Sequence, residues 1–298
     1  MTTGSSPLAD EIARSASLRA QLEGVVFPHP QRPLVVAVAN QKGGVGKTTS
    51  VVNLSVALAQ AGLSVVVIDS DPQGNASTAL GVDHRPGTPS TYDVLSSAMS
   101  LAECLHACEE SENLLVCPAT IDLSGAELEL STVEGREFVL CRAIKDFLAV
   151  NRGVDVVLID CPPSLGLLTL NSFVAADQVI VPIQTEYYAL EGLSMLVNTV
   201  ERIKNYLNPG LTIGAILLTM YDRRTNLSSE VAAEIKRYFP GVVLENYIPR
   251  LVKLSEAPSF GTSIFGHDPR GQGAVAYKAA AYELVSRWAS LGVEDGGE

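Results

Sequence analysis

Apolar residues along this chain gather in short β-branched runs, separated by longer stretches in which they recur at helical spacing. Leu34 to Ala39 (LVVAVA) is the first run; it leads into a glycine-rich turn and then into Thr48 to Ala61, which reads as a helix closed by Gly62. Ser64 to Ile68 (SVVVI) ends at Asp69, and Val154 to Ile159 (VDVVLI) ends at Asp160. Gln178 to Ile183 and Thr212 to Thr219 follow after helical intervals, and a last helix is expected over Ala274 to Leu291. Strands that are apolar at every position need cover on both faces. The pattern therefore predicts an α/β fold: a single domain with a mostly parallel twisted sheet flanked by helices on both faces. Asp69 and Asp160 sit at strand ends, where an open α/β sheet gathers its ligands.

Residues 1–33 are polar and punctuated by proline, which predicts a flexible N-terminal extension with Leu8, Ile12, Leu18 and Leu22 on a rough helical stripe. The core domain is expected over 34–291 and an acidic C-terminal tail over 292–298. With 47% hydrophobic and 18% charged residues, intrinsic disorder is excluded as the main state. The net charge of -12 excludes a protein that coats nucleic acid by bulk charge, so any DNA contact must come from a local patch. Charge is uneven along the chain. Glu103 to Glu137 carries nine acids against Arg136 and reads as exposed helices and loops. Arg202 to Lys253 holds eight bases and four acids, a balance that fits either a DNA-facing surface or a solvated helix face. No apolar stretch reaches the roughly 18 to 20 residues of a membrane span, and Met1 to Gly24 lacks the features of a signal peptide, so a cytoplasmic location is expected. The five cysteines (Cys104, Cys108, Cys117, Cys141, Cys161) are scattered without a C-x-x-C pair, and buried thiols are expected; Cys104 and Cys108 would share one face of a helix.

The chemistry concentrates in Gln41-Lys42-Gly43-Gly44-Val45-Gly46-Lys47-Thr48-Thr49. Successive glycines let backbone N–H groups curl around phosphate oxygens at a helix N-terminus. Lys47 is placed to reach the β- and γ-phosphates and the Thr48 hydroxyl to ligate Mg2+. Gln41 stands where the usual pattern has glycine, and Lys42 is an additional lysine. The stretch predicts a nucleoside triphosphate site and hence a P-loop NTPase.

The loop K-G-G-V-G-K-T-T resembles the deviant phosphate loop of the ParA/Soj family of partition ATPases, related to MinD. Asp69-Ser70-Asp71-Pro72-Gln73-Gly74-Asn75 and Asp160-Cys161-Pro162-Pro163-Ser164 are similar to that family's acidic elements. So are Pro118 to Thr120 with Gly125 to Glu127, Thr219 to Leu227, and Ile248 to Pro258. The resemblance implies an ATP hydrolase with ATP and Mg2+ as cofactors, working as an ATP-dependent homodimer in which Lys42 reaches the partner's phosphates. It implies a catalytic set of Lys42, Lys47, Asp71 and Asp160, with Asp71 positioning the attacking water. Thr48, Asp69 and Asp160 would surround the metal. Met220 and Pro249 would belong to the adenine pocket. Arg224, Arg250 and Lys253, with Arg223, Lys236 and Arg237 as neighbours, would contact double-stranded DNA without sequence preference; an ion pair with Asp222 is the alternative for Arg224. A ParB-like protein would stimulate hydrolysis and release the dimer from the nucleoid, serving chromosome or plasmid segregation. The alternative is a MinD-like ATPase at a membrane, against which the acidic tail after the last helix argues.

Overall fold

The computed structural model describes residues 7–291. Helix α1 (Pro7–Leu22) precedes β1 (Leu34–Val38), α2 (Lys47–Gln60), β2 (Val65–Asp69), α3 (Asn75–Ala79) and α4 (Thr91–Leu95). Then come β3 (His106–Cys108), β4 (Ser111–Cys117), α5 (Leu123–Leu130), α6 (Val139–Val150), β5 (Val156–Asp160), α7 (Leu167–Ala175) and β6 (Gln178–Gln184). The chain finishes with α8 (Ala189–Tyr206), β7 (Thr212–Thr219), α9 (Asn226–Tyr238), α10 (Val252–Glu256), α11 (Ile264–His267) and α12 (Gln272–Ser290). The seven strands form one sheet in the order β3-β4-β2-β5-β1-β6-β7. All neighbours run parallel except β3 and β4.

Every residue of β1, β2 and β5 is buried, as their unbroken apolar sequences require. Alternation still sorts the side chains between two cores. Val36 and Val38 of β1 join Leu54 and Leu58 of α2 and Tyr277 and Trp288 of α12. Val35 and Ala37 join Ile144 and Phe147 of α6, Phe173 of α7 and Leu196 of α8. Burial of each such aliphatic side chain contributes roughly 1.5–3 kcal/mol, enough to hold the register that places Asp69 opposite Asp160 at the strand ends.

Three sequence expectations change. The extension is helical from Pro7 and lies along α12, because Leu22 and Phe27 are buried and Phe27 packs on Tyr282 with ring centroids 5.3 Å apart. The side chains of Leu8 and Ile12, and the acidic tail 292–298, lie outside the described residues. The acidic stretch Glu103 to Glu137 is not all exposed helix and loop: it contributes β3 and β4, with Leu114, Val116 and Cys117 fully buried. Cys104 and Cys108 share no helix, since one closes a 3-10 turn and the other ends β3; all five cysteines are buried and free.

Candidate functional site: a phosphate loop at the strand ends

Between β1 and α2 the chain passes Asn40 to Gly46, held in place from two sides. The Asn40 amide donates to the Pro182 carbonyl at 2.8 Å, and its oxygen accepts from the Lys42 N–H at 3.0 Å. The Thr219 hydroxyl at the end of β7 donates to the Val45 carbonyl at 2.8 Å. Gly44 and Gly46 have φ of 73° and 87°, left-handed conformations that a Cβ would strain. Helix α2 starts immediately afterwards with no side-chain cap. Its first N–H groups therefore meet the cleft as donors at the positive end of a helix dipole, a ready anion site. Lys47 is 7% exposed, and its Nζ lies 3.4 Å from the Lys42 carbonyl. Burial lowers its pKa, while the charges of Asp160 and Asp71 act the other way.

Three carboxylates stand behind this loop in different states. Asp69 accepts from the Ser77 N–H at 2.9 Å, the Ser77 hydroxyl at 2.7 Å and the Asp71 N–H at 3.2 Å. Burial pushes its pKa up to about 6 against those three bonds. Asp71 accepts from the Gln73 N–H at 3.0 Å and lines the cleft. Asp160 is fully buried, and neither of its oxygens completes a hydrogen bond. Burial first, and then the neighbouring charge of Asp69, raises its pKa well above the carboxylate range, although the facing Thr48 hydroxyl and Lys47 favour its ionised form.

Among the described residues, the buried side-chain atoms without a partner are Gln41 Nε2, Ser70 Oγ and the two Asp160 oxygens. All belong to the loop or to the two strand ends beside it. Native proteins rarely leave such atoms unmatched. A hydrated Mg2+ fits here: it keeps several waters and takes one or two protein oxygens plus phosphate, and the Thr48 hydroxyl faces the open Asp160 oxygens. Asp69, expected in the metal shell, has its oxygens engaged by Ser77 and the Asp71 amide.

A cavity of about 460 Å³ opens in front of the loop, lined by Gly43, Gly44, Gly46, Lys47, Thr48 and Thr49. Gln41, Lys42 and Val45 do not line it. A larger cavity, about 680 Å³, lies away from the strand ends between α1, α2 and α12, and holds none of these groups. Met220 lines the loop cavity, in a left-handed conformation with φ 50°. Pro249 does not: it bridges Tyr221 one step behind. Ala257, Pro258 and Thr262 line the cavity there, with Gln73, Asn75 and Thr78 also in its lining. Glu110 fixes that wall, accepting from the Thr262 hydroxyl at 2.8 Å and from the N–H and hydroxyl of Ser263. Sequence reasoning found Pro258 only inside a longer stretch, and nothing local marks Glu110 as a partner of residues 150 positions away. Lys42 is half exposed, with its Nζ 2.5 Å from Glu186.

The basic residues flank the same edge, and most hold an acid. Arg224 grips Asp222 through Nε at 2.8 Å and Nη2 at 2.7 Å, which pulls the Asp222 pKa down to about 2. Lys253 pairs with Asp268 at 2.9 Å, Lys236 with Glu245 at 2.6 Å and Arg237 with Glu234 at 3.4 Å. Arg223 lies over the Tyr247 ring at 5.6 Å, and exposed Arg250 is near enough to Asp222 to favour its charge. No described helix is long and apolar enough to cross a membrane.

Comparison with known proteins agrees with this geometry. The profile of an AAA domain matches residues 34–213. The chain is 48% identical over 252 residues to the sporulation initiation inhibitor protein Soj of Bacillus subtilis, covering 85% of this chain and 98% of Soj. It is 48% identical over 255 residues to the chromosome partitioning protein ParA of Caulobacter vibrioides, covering 85% and 94%. Among solved structures, a cobyrinic acid a,c-diamide synthase from Mycobacterium smegmatis, crystallised with ADP and magnesium, superposes with a TM-score of 0.74 at 38% identity over 87% of this chain and 96% of that one.

Proposed function

Because this chain belongs to the ParA/Soj family of chromosome-partitioning P-loop ATPases, we propose that it binds and hydrolyses Mg-ATP and closes as an ATP-dependent homodimer. The dimer binds DNA without sequence preference, and a ParB-like protein ends its lifetime by stimulating hydrolysis. The observation that carries the reading is the pair of unmatched Asp160 oxygens beside the uncapped start of α2. A buried carboxylate without a partner is costly unless a cation sits against it. The synthase named for the M. smegmatis structure is a different activity, and the partition relatives stand at 48% identity against its 38%.

In this mechanism the α2 N–H groups and Lys47 bind and orient the phosphates, since phosphoryl transfer needs alignment and charge neutralisation more than covalent chemistry. Mg2+, when bound, neutralises charge developing on the β- and γ-oxygens; Thr48 and Asp160 would hold it. Asp71, at the cavity wall, orients the attacking water and accepts its hydrogen bond. Lys42 leaves Glu186 to reach the phosphates of the second copy, which makes closure depend on the triphosphate. Arg224, Arg250 and Lys253, doubled by dimerisation, exchange their carboxylate partners for DNA phosphates.

The test is sedimentation of the full chain with Mg2+ and a non-hydrolysable ATP analogue, with and without duplex DNA at low salt. The expected result is a dimer that retains DNA, with retention falling steeply as salt rises. A chain that stays monomeric when saturated with the analogue would remove the basis of the proposal.

A further inference from the structure

The profile of the family domain begins at residue 34, so α1 lies outside it. The contacts of α1 nevertheless lead to the nucleotide cavity. Arg14 places its guanidinium carbon 3.7 Å from the centre of the Tyr247 ring, and Glu11 accepts from the Tyr247 hydroxyl at 3.0 Å. Arg14 and Glu11 also face each other at 3.8 Å. Tyr247 in turn packs on Tyr221, with ring centroids 4.3 Å apart and the planes tilted by 39°. Tyr221 follows Met220, the cavity residue held at φ 50°. The Tyr221 backbone is clamped as well: its N–H donates to the Ile248 carbonyl at 3.0 Å, and its carbonyl accepts from the Arg250 N–H at 3.3 Å.

A left-handed methionine is unfavourable unless its surroundings over-determine it. The backbone clamp fixes one side of this turn, and the aromatic stack fixes the other. We propose that Arg14 and Glu11 are positioning residues for the nucleotide site, acting through Tyr247 and Tyr221 to hold Met220 against the ligand. A guanidinium over a buried ring gains attraction from the ring's negative face and is a directional contact, unlike simple apolar packing. Burial pushes the Tyr247 phenol up to about 12, so it remains a donor to Glu11 throughout the neutral range. Because Arg223 also reaches the Tyr247 ring, the same stack touches the segment that bears Arg224. Helix α1 thereby ties a segment outside the matched family domain to the wall of the cavity.

The inference rests on ATP being the ligand of the loop cavity, and its test separates the two. Titration of the full chain with a fluorescent ATP analogue and Mg2+ first establishes binding; no binding by the native chain overturns the ATP reading itself. Given binding, Arg14→Ala is expected to raise both the dissociation constant and the KM for ATP by about three- to tenfold, with kcat and the melting temperature of the nucleotide-free chain unchanged. Arg14→Lys, which keeps a cation over the ring, recovers part of the loss. Glu11→Gln, which keeps an acceptor for Tyr247, stays close to native. An unchanged KM in Arg14→Ala overturns the proposal, as does a KM rise accompanied by an equal fall in kcat or by a lower melting temperature, which would mark a general loosening of the fold.

Discussion

The loop end of the sheet and the basic edge beyond β7 treat charge in opposite ways. At the loop, charge is buried and short of direct partners: neither Asp160 oxygen completes a hydrogen bond, and Lys47 is almost sealed from solvent. Beyond β7, charge is exposed and matched: the Arg224 side chain is 73% exposed and yet holds Asp222 with two bonds. A buried polar group left without a partner costs about 1–3 kcal/mol, and more if charged, so it persists only where a ligand offsets it. An exposed pair contributes about 0–1 kcal/mol, so a phosphate can displace its carboxylate at little cost. The first arrangement points to a specific occupant. The second leaves each cation available to whatever anion comes near.

This contrast can be broken at several points. The largest expected effect is at Asp71: Asp71→Ala should lower ATP turnover by about 10²- to 10⁴-fold while Mg-ATP still binds, read by phosphate release beside a binding titration. Unchanged turnover would move the water-positioning role elsewhere. Lys42→Ala should eliminate the ATP-dependent dimer in sedimentation yet alter ATP affinity of the monomer by no more than about threefold, since the lysine makes an exposed pair outside the cavity; a dimer that survives would refute the crossing-lysine assignment. Asp160→Asn removes the buried ionisable group beside Asp69. The nucleotide-free chain should melt about 2–4 °C higher per kcal/mol gained, and the extra stabilisation by Mg-ATP should disappear; scanning calorimetry with and without Mg-ATP reads both. The smallest effects belong to the exposed edge. Asp222→Asn frees Arg224 and should strengthen DNA retention by about two- to fivefold, whereas Arg224→Glu should weaken it and lower the salt slope by about one. Equal retention in the two variants would take Arg224 out of the DNA surface.

Much of this was legible in the chain itself, and the reasons differ by element. The strands β1, β2, β5, β6 and β7 announce themselves because a sheet covered on both faces tolerates no polar interruption. The edge strand β3 and its neighbour β4 escaped notice because Ser111, Glu112 and Asn113 at the start of β4 are partly or fully exposed, leaving only Leu114 to Cys117 as an apolar run within an acidic stretch. The phosphate loop is written in the sequence, since its glycines and lysines serve local geometry. The cavity wall is not: choosing Pro258 and Thr262 over Pro249 requires knowing how the chain returns after β7 and that Glu110 catches Ser263. Nor does sequence reveal that Asp69 is tied to Ser77 while Asp160 is left open, because that depends on which way two adjacent carboxylates turn at the same register.

Those two carboxylates also bear on how long a copy of the protein survives. Anything that binds only the folded form shifts folding in its favour by mass action, and here a bound cation would also offset the repulsion by which Asp69 raises the pKa of Asp160. An empty copy opens more often than a filled one, and a protease digests whatever opens. The lifetime of this chain in a cell should therefore track the supply of triphosphate and magnesium, so that starved cells clear the idle copies first.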